Sequence, residues 1–135
     1  MSETTTENVT KGDGYAVANL EDLGQGPGFR KIRKELGVTA FGVNAIVLPP
    51  SYETGSHYHD EQEELYFLHS GRIVITFGDG SAHTLDPGGL AWVDASTVRK
   101  VGNPSDSEEA VYVIVGGKDG YVGRDGKQPE GETQR

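Results

Sequence analysis

In "SYETGSHYHDEQEELYFLHSG", residues 51–71, two histidines stand two apart, a run of acids follows, and an apolar stretch ends at a glycine. The stretch has two readings: a metal site, or a solvated loop leading into a buried strand. In an extended chain, side chains at i and i+2 point to the same side, about 6.6–7 Å apart. His57 and His59 can therefore converge on one ion. Glu64 follows a turn expected at "DEQE", which places it on the next antiparallel strand, opposite the pair. Two imidazoles and one carboxylate occupy one side of a metal ion and leave positions open for water or substrate. Neutral imidazole suits Fe, Mn, Ni, Cu or Zn, whereas Mg and Ca prefer oxygen ligands. An H-x-H pair alone is weak evidence, and Glu61 and Glu63 read as solvent-facing under either view.

Working outward, twenty glycines and six prolines break the chain into short apolar or alternating runs, about 8–12 residues apart. That spacing predicts an all-β sandwich or barrel. The first strand is expected around "GYAVANL". "FRKIRKEL", residues 29–36, reads as a strand from its flanking glycines, although Phe29, Ile32 and Leu36 also fit helical spacing. Further strands are expected within residues 39–50, at "ELYFLHSG", in the hairpin of residues 72–89, and at residues 89–93, 99–103 and 109–117. Ile73, Ile75 and Phe77 share one face of the hairpin's first strand. The body is thus some eight to ten short strands in meander order, closed or doubled so that no long edge is left open.

Residues 1–14 and the last stretch, "RDGKQPEGETQR", are poor in apolar side chains and read as tails. The expected organisation is a tail over 1–14, a barrel over 15–117, and a C-terminal arm with tail over 118–135. Tyr121 and Val122 would anchor the arm on the barrel or on a partner subunit. With no cysteine, neither disulfides nor thiolate metal sites are available. A formal net charge of −9 argues against nucleic acid and anionic membranes as partners. The lack of cysteine leans toward the cytoplasm; no apolar run is long enough for a transmembrane helix, and the polar, acidic N-terminus does not read as a secretory signal.

The stretch 51–71 resembles the first motif of the cupin superfamily, G-x5-H-x-H-x(3,4)-E-x6-G. His57, His59, Glu64 and Gly71 fall on it, and only Ser51 departs, at the opening glycine. The second motif, G-x5-P-x-G-x2-H-x3-N, aligns on "GGLAWVDASTVRKVGN" with changed chemistry. Gly88 and Asn103 match, while Asp94, Ser96 and Arg99 replace the proline, glycine and histidine. The resemblance covers residues 39–117 and implies a cupin-type β-barrel, that is, a double-stranded β-helix or jelly roll.

In the family the second-motif histidine completes a site of three histidines and a glutamate. A guanidinium stays protonated and only donates, so Arg99 cannot ligate a cation. Three arrangements remain open. A divalent metal (Fe, Mn, Ni or Zn) sits on His57, His59 and Glu64 while Arg99 grips an anionic ligand. Alternatively, no metal binds and Arg99 pairs with Glu64. Finally, Arg99 turns out to solvent.

Tyr66 shares the face of Glu64 with Leu68 and is the candidate proton donor, with a core aromatic as the plainer reading. Asn44, amid apolar residues, is a ligand-binding candidate or a structural amide. Trp92 and Tyr112 read as core or pocket wall. The leading functional expectation is a metal-dependent cupin acting on a small anionic organic molecule, with dioxygenase-type chemistry. The alternatives are a non-catalytic binding or sensing cupin and, more weakly, an isomerase or epimerase. A homodimer is expected.

Overall fold

The computed structural model describes residues 4–6 and 8–129, and within them the regular secondary structure is almost entirely β-strand. Three short N-terminal strands form one sheet: β1 (Thr4–Thr6), β2 (Val9–Gly12) and β3 (Tyr15–Val17). Strands β1 and β2 thus fall in the stretch expected to be a tail, of which residues 1–3 and 7 lie outside the described residues.

After a 3-10 turn over Leu20–Leu23 come β4 (Gly28–Arg30), α1 (Ile32–Leu36) and β5 (Gly42–Leu48). The reading of 29–36 as one strand is corrected here. Only its start is extended, and Ile32 and Leu36 meet one turn apart on the helix. Gly37 ends the helix in the left-handed conformation, at φ 80°, and its N–H and that of Val38 both donate to the Arg33 carbonyl. That cap is the signal that favours a helix over a strand.

The remaining strands are β6 (Tyr58–His59), β7 (Glu63–Ser70), β8 (Ile73–Phe77), β9 (Ala82–Leu85), β10 (Leu90–Val93), β11 (Arg99–Gly102), β12 (Ala110–Gly117) and β13 (Gly126–Lys127). They are not in meander order. The large sheet runs β10-β7-β12-β5-β4 and the small one β11-β8-β9. Strand β12 inserts between β7 and β5, which are neighbours in sequence among the long strands. Turn residues report where the chain reverses; which distant strands then pair is decided across the core.

Strand β7 shows how the core is filled. Glu64, Tyr66 and Leu68 point inward and are buried, while Glu63, Leu65, Phe67 and His69 point outward. From the small sheet, Ile73, Ile75 and Val101 meet them, together with Leu48 and Tyr112 from the large sheet. Tyr112 stacks on Tyr66 with ring centroids 5.9 Å apart. Trp92, expected in the core or the pocket wall, is 63% exposed instead. Its register opposite Leu65 puts it on the outer face, where Nε1 donates to Glu63 Oε1 at 2.9 Å.

Two turn positions explain the motif glycines. Gly71 has φ 77°, and a Cβ there would overlap the Glu109 carbonyl oxygen. Ser51, at the first motif's glycine position, holds φ 62°, a conformation glycine adopts without cost. The motif asparagine, Asn103, is buried and donates through Nδ2 to the carbonyls of Leu48, Pro49 and Glu108. It therefore ties the end of β5 to the loop before β12.

The C-terminal arm returns to the barrel. Tyr121 lies under the Arg33 guanidinium at 4.0 Å, and β13 pairs with β6, Gly126 opposite His59. Residues 130–135 lie outside the described residues.

Candidate metal centre and ligand pocket

The site forms where the edge of the small sheet meets the inner face of the large one. The chain from Glu53 to His59 runs beside β11. Backbone bonds join Thr54 to Val101 and His57 to Arg99, the latter reciprocally at 2.9 and 3.0 Å. His59 N–H bonds to the Ala95 carbonyl, which brings its ring over the same end. Glu64 reaches that end from β7 of the opposite sheet. One ligand atom from each of His57, His59 and Glu64 lies within 4.8 Å of the others. The sequence expectation that these three converge is met.

The rings of His57 and His59 meet edge to face, with centroids 5.1 Å apart. His57 Nε2 stands 3.8 Å from Glu64 Oε1, and His59 Nε2 stands 3.3 Å from Glu64 Oε2. Among the described residues, His57 Nδ1 and His59 Nε2 are buried without a hydrogen-bond partner. Burial pushes the His57 imidazole below its ordinary value, against the pull of Glu64 and with the help of the Arg99 charge. A neutral imidazole is the ligating form.

Arg99 is fully buried beneath this cluster and does not line the cavity above it. Nη2 donates to Glu64 Oε1 at 2.9 Å, and Nε to the Tyr66 hydroxyl at 3.4 Å. Nη1 is held by the carbonyls of Thr97, Ala95 and Asp94 at 2.6, 3.2 and 3.4 Å. A buried guanidinium is tolerated only when its donors are matched in this way. Arg99 is thus paired with Glu64 and does not turn to solvent.

Tyr66 donates its hydroxyl to Glu64 Oε1 at 3.0 Å. Burial first, and then the Glu64 charge, push the phenol far above its ordinary value. Burial also works against the charged form of Glu64. The contacts of His57 and His59 and the Arg99 charge outweigh it, holding the carboxyl well below its usual range. Glu64 thus offers Oε1 to Tyr66 and Arg99 and turns Oε2 toward His59.

Beside the cluster lies a cavity of about 520 Å³. Asn44 lines it, with Val43, Ile46 and Ile114 forming an apolar wall. Three polar contributors were not singled out from sequence: Gln62, Thr54 and the C-terminal arm. Gln62 Nε2 is 3.0 Å from His59 Nδ1 and 3.4 Å from Glu64 Oε2. Asp125, buried in the arm, accepts the backbone N–H groups of Glu61 and Gln62 at 2.9 and 2.8 Å. Burial pushes this carboxyl up, but the two backbone donors outweigh it and hold it below its ordinary value. The only hint in sequence is "GRDG" within the arm, which has no metal-ligand spacing. His69 and His83 are exposed and take no part.

Two packed sheets wound as a double-stranded β-helix, with an H-x-H pair and a glutamate at one end, define the class of small jelly-roll barrels that carry a metal or ligand site at the barrel mouth. The profile of the Cupin domain family matches residues 45–116, more than half of the chain, and the protein belongs to that family. No curated protein matches it. Among solved structures it is similar to a cupin-superfamily sugar phosphate isomerase from Silicibacter pomeroyi, with 24% identity and a TM-score of 0.61, covering 78% of this chain and 73% of that one. A double-stranded β-helix protein from Klebsiella pneumoniae is 21% identical, with a TM-score of 0.59 and coverage of 67% and 76%. A DMSP lyase structure is 22% identical at TM-score 0.58, covering 67% of this chain; this chain spans only 44% of that one. At these identities the likeness is one of fold. Among the described residues, no helix is long and apolar enough to cross a membrane.

Proposed function

We propose that His57, His59 and Glu64 hold a divalent transition-metal ion, and that the adjoining cavity binds a small anionic organic molecule. The carrying observation is the convergence of one ligand atom each from His57, His59 and Glu64 within 4.8 Å, with His59 Nε2 buried and without a hydrogen bond beside the ionised Glu64 carboxylate. A buried polar atom without a partner is rare and costly, and a cation held at His59 Nε2 removes that cost. Three protein ligands leave open positions, where a bound ion of this kind supplies Lewis acidity and, if it is iron, dioxygenase-type chemistry. Tyr66 and Arg99 hold Glu64 through Oε1, which leaves Oε2 facing the ion's place. Arg99, tied to three carbonyls, acts as a support and does not grip the ligand. The cationic groups on the cavity wall are Arg124 and Lys127 of the arm, and the apolar wall suits a ligand with a non-polar body.

A metal-free binding or sensing role is the second reading, and the 2.9 Å Arg99–Glu64 bond favours it. A divalent ion about 4–5 Å from a guanidinium costs several kcal/mol at an effective dielectric of about 20.

Untagged protein titrated with Mn(II), Fe(II), Ni(II) or Zn(II) separates the two. Metal at about 100 times its Kd stabilises the fold by about 2.7 kcal/mol, a rise of several degrees in Tm. His57→Ala should abolish the rise. Arg99→His, which restores the family's third histidine, should tighten binding. Substoichiometric metal on elemental analysis, with no Tm shift for any of the four ions, leaves the metal-free reading standing.

A further inference from the structure

The large sheet has two faces, and the metal cluster uses one. Along β5, Ile46 and Leu48 point into the core, so Ala45 and Val47 point to the other side. Arg30, on the edge strand β4, pairs opposite Ala45 and shares that outer side. The segment from Asn19 to Gly26 lies over it and encloses a second cavity, of about 620 Å³. Leu20, Val47 and Val111 give this cavity an apolar lining, and Arg30, Glu21 and Glu109 bring charge to it. Its volume lies within the range of small-molecule sites, about 300–1,000 Å³.

Arg30 is 7% exposed, yet its charge has no counter-ion among the described residues. Its one hydrogen bond there runs from Nη2 to the Gly26 carbonyl at 2.8 Å, although a guanidinium carries five N–H donors. A Cβ at Gly24 would stand 3.0 Å from Arg30 Cδ and Nη1, so the side chain lies directly against that backbone. Arg99 shows the contrast, because a carboxylate, a phenol and three carbonyls match it. A buried cation without such matching is costly. The adjoining cavity is the place from which an anionic group can reach it. Glu21 and Glu109 are exposed on the same wall, and neither forms an ion pair among the described residues. They repel a simple anion drawn to Arg30. A molecule with a cation beside its carboxylate satisfies both signs.

We propose that this cavity is a second ligand site, separate from the metal cluster, and that it takes a small zwitterion of the α-amino-acid type with an aliphatic side chain. The Arg30 guanidinium grips the carboxylate, for which its planar fork is suited. The ammonium group faces Glu21 and Glu109, and the aliphatic body rests on Leu20, Val47 and Val111. Nothing in this inference depends on whether His57, His59 and Glu64 hold an ion.

The test titrates the full chain with L-valine and reads methyl shifts by NMR. Valine should shift Val47 and Val111 saturably, with a millimolar or tighter dissociation constant, and leave Ile46 and Ile114 on the metal side unmoved. Isovalerate, the same body without the ammonium group, and isobutylamine, the same body without the carboxylate, should each bind at least about tenfold more weakly. Arg30→Met keeps an apolar stem and removes the charge, and it should lose at least about tenfold in valine affinity. If that variant does not fold, Glu21→Gln combined with Glu109→Gln takes its place, since both side chains are exposed. There valine should lose its advantage over isovalerate. The proposal is overturned by any of four results: no saturable shift at Val47 and Val111, unchanged valine affinity in Arg30→Met, isovalerate or isobutylamine matching valine on the wild type, or an advantage over isovalerate that survives the double substitution.

Discussion

Arg99 is held by five groups that cannot readily move: a carboxylate, a phenol and three backbone carbonyls. Its charge is one reason Glu64 remains ionised in a buried position. The consequence is a pH dependence with a definite sign. The folded-state pKa of Glu64 is depressed below its ordinary 4.5. Its contacts therefore stabilise the fold above that value, and the contribution is lost as pH falls below it toward the folded value. Glu64→Gln lacks the titrating group. The urea midpoint of the wild type should exceed that of Glu64→Gln at neutral pH, and the gap should narrow as the pH drops below 4.5. A gap that stays constant over that range would show that Glu64 gains nothing from its ionised contacts. The three ligand candidates were legible in sequence because their spacing is local and strand alternation fixes their side. Asp125 was not, since its partners are Glu61 and Gln62, 64 and 63 residues away. For Arg99, alternation places the side chain but does not name its partners, which come from β7 and from the carbonyls of Asp94, Ala95 and Thr97.

At the level of elements, the turn after β7 is tightly constrained by its neighbours. Gly71 sits at φ 77° with the Glu109 carbonyl and Ala110 packed against its α-carbon. Gly71→Ala forces a left-handed alanine, about 1–3 kcal/mol of strain. It also pushes the start of β12 away from β7. Chemical denaturation should show a loss at the upper end of that range or beyond it, and a loss under 1 kcal/mol would mean the two strands separate easily. Turns of this kind are written in single residues, which is why the strand boundaries around Ser70–Gly71 and in the β8–β9 hairpin were readable. Helix α1 was harder: over Ile32–Leu36 both periodicities fit, and the choice falls to one glycine cap. The order of strands was not readable at all from turns, because β12 pairs within one sheet with β5 and β7, strands far from it in sequence.

At the scale of the molecule, the outer face of the large sheet carries an apolar band that the fold leaves uncovered. Leu65 and Phe67 on β7 stand beside Trp92 and Leu90 on β10, the last two 63% and 61% exposed. The register places Trp92 opposite Leu65 and Leu90 opposite Phe67, so the four side chains form one contiguous patch. A second copy of the chain brings an identical apolar face, and a two-fold contact is the commonest way such a surface is closed. The net charge of −9 works against it, since two acidic copies repel. Screening weakens that repulsion while apolar contact persists. We therefore propose a homodimer through this face, and the dimer fraction should rise with salt. Light scattering should give twice the monomer mass at moderate ionic strength, and Leu90→Glu or Trp92→Glu should return it to the monomer. A monomeric mass across the salt range, or a dimer that survives both substitutions, places the contact elsewhere or removes it.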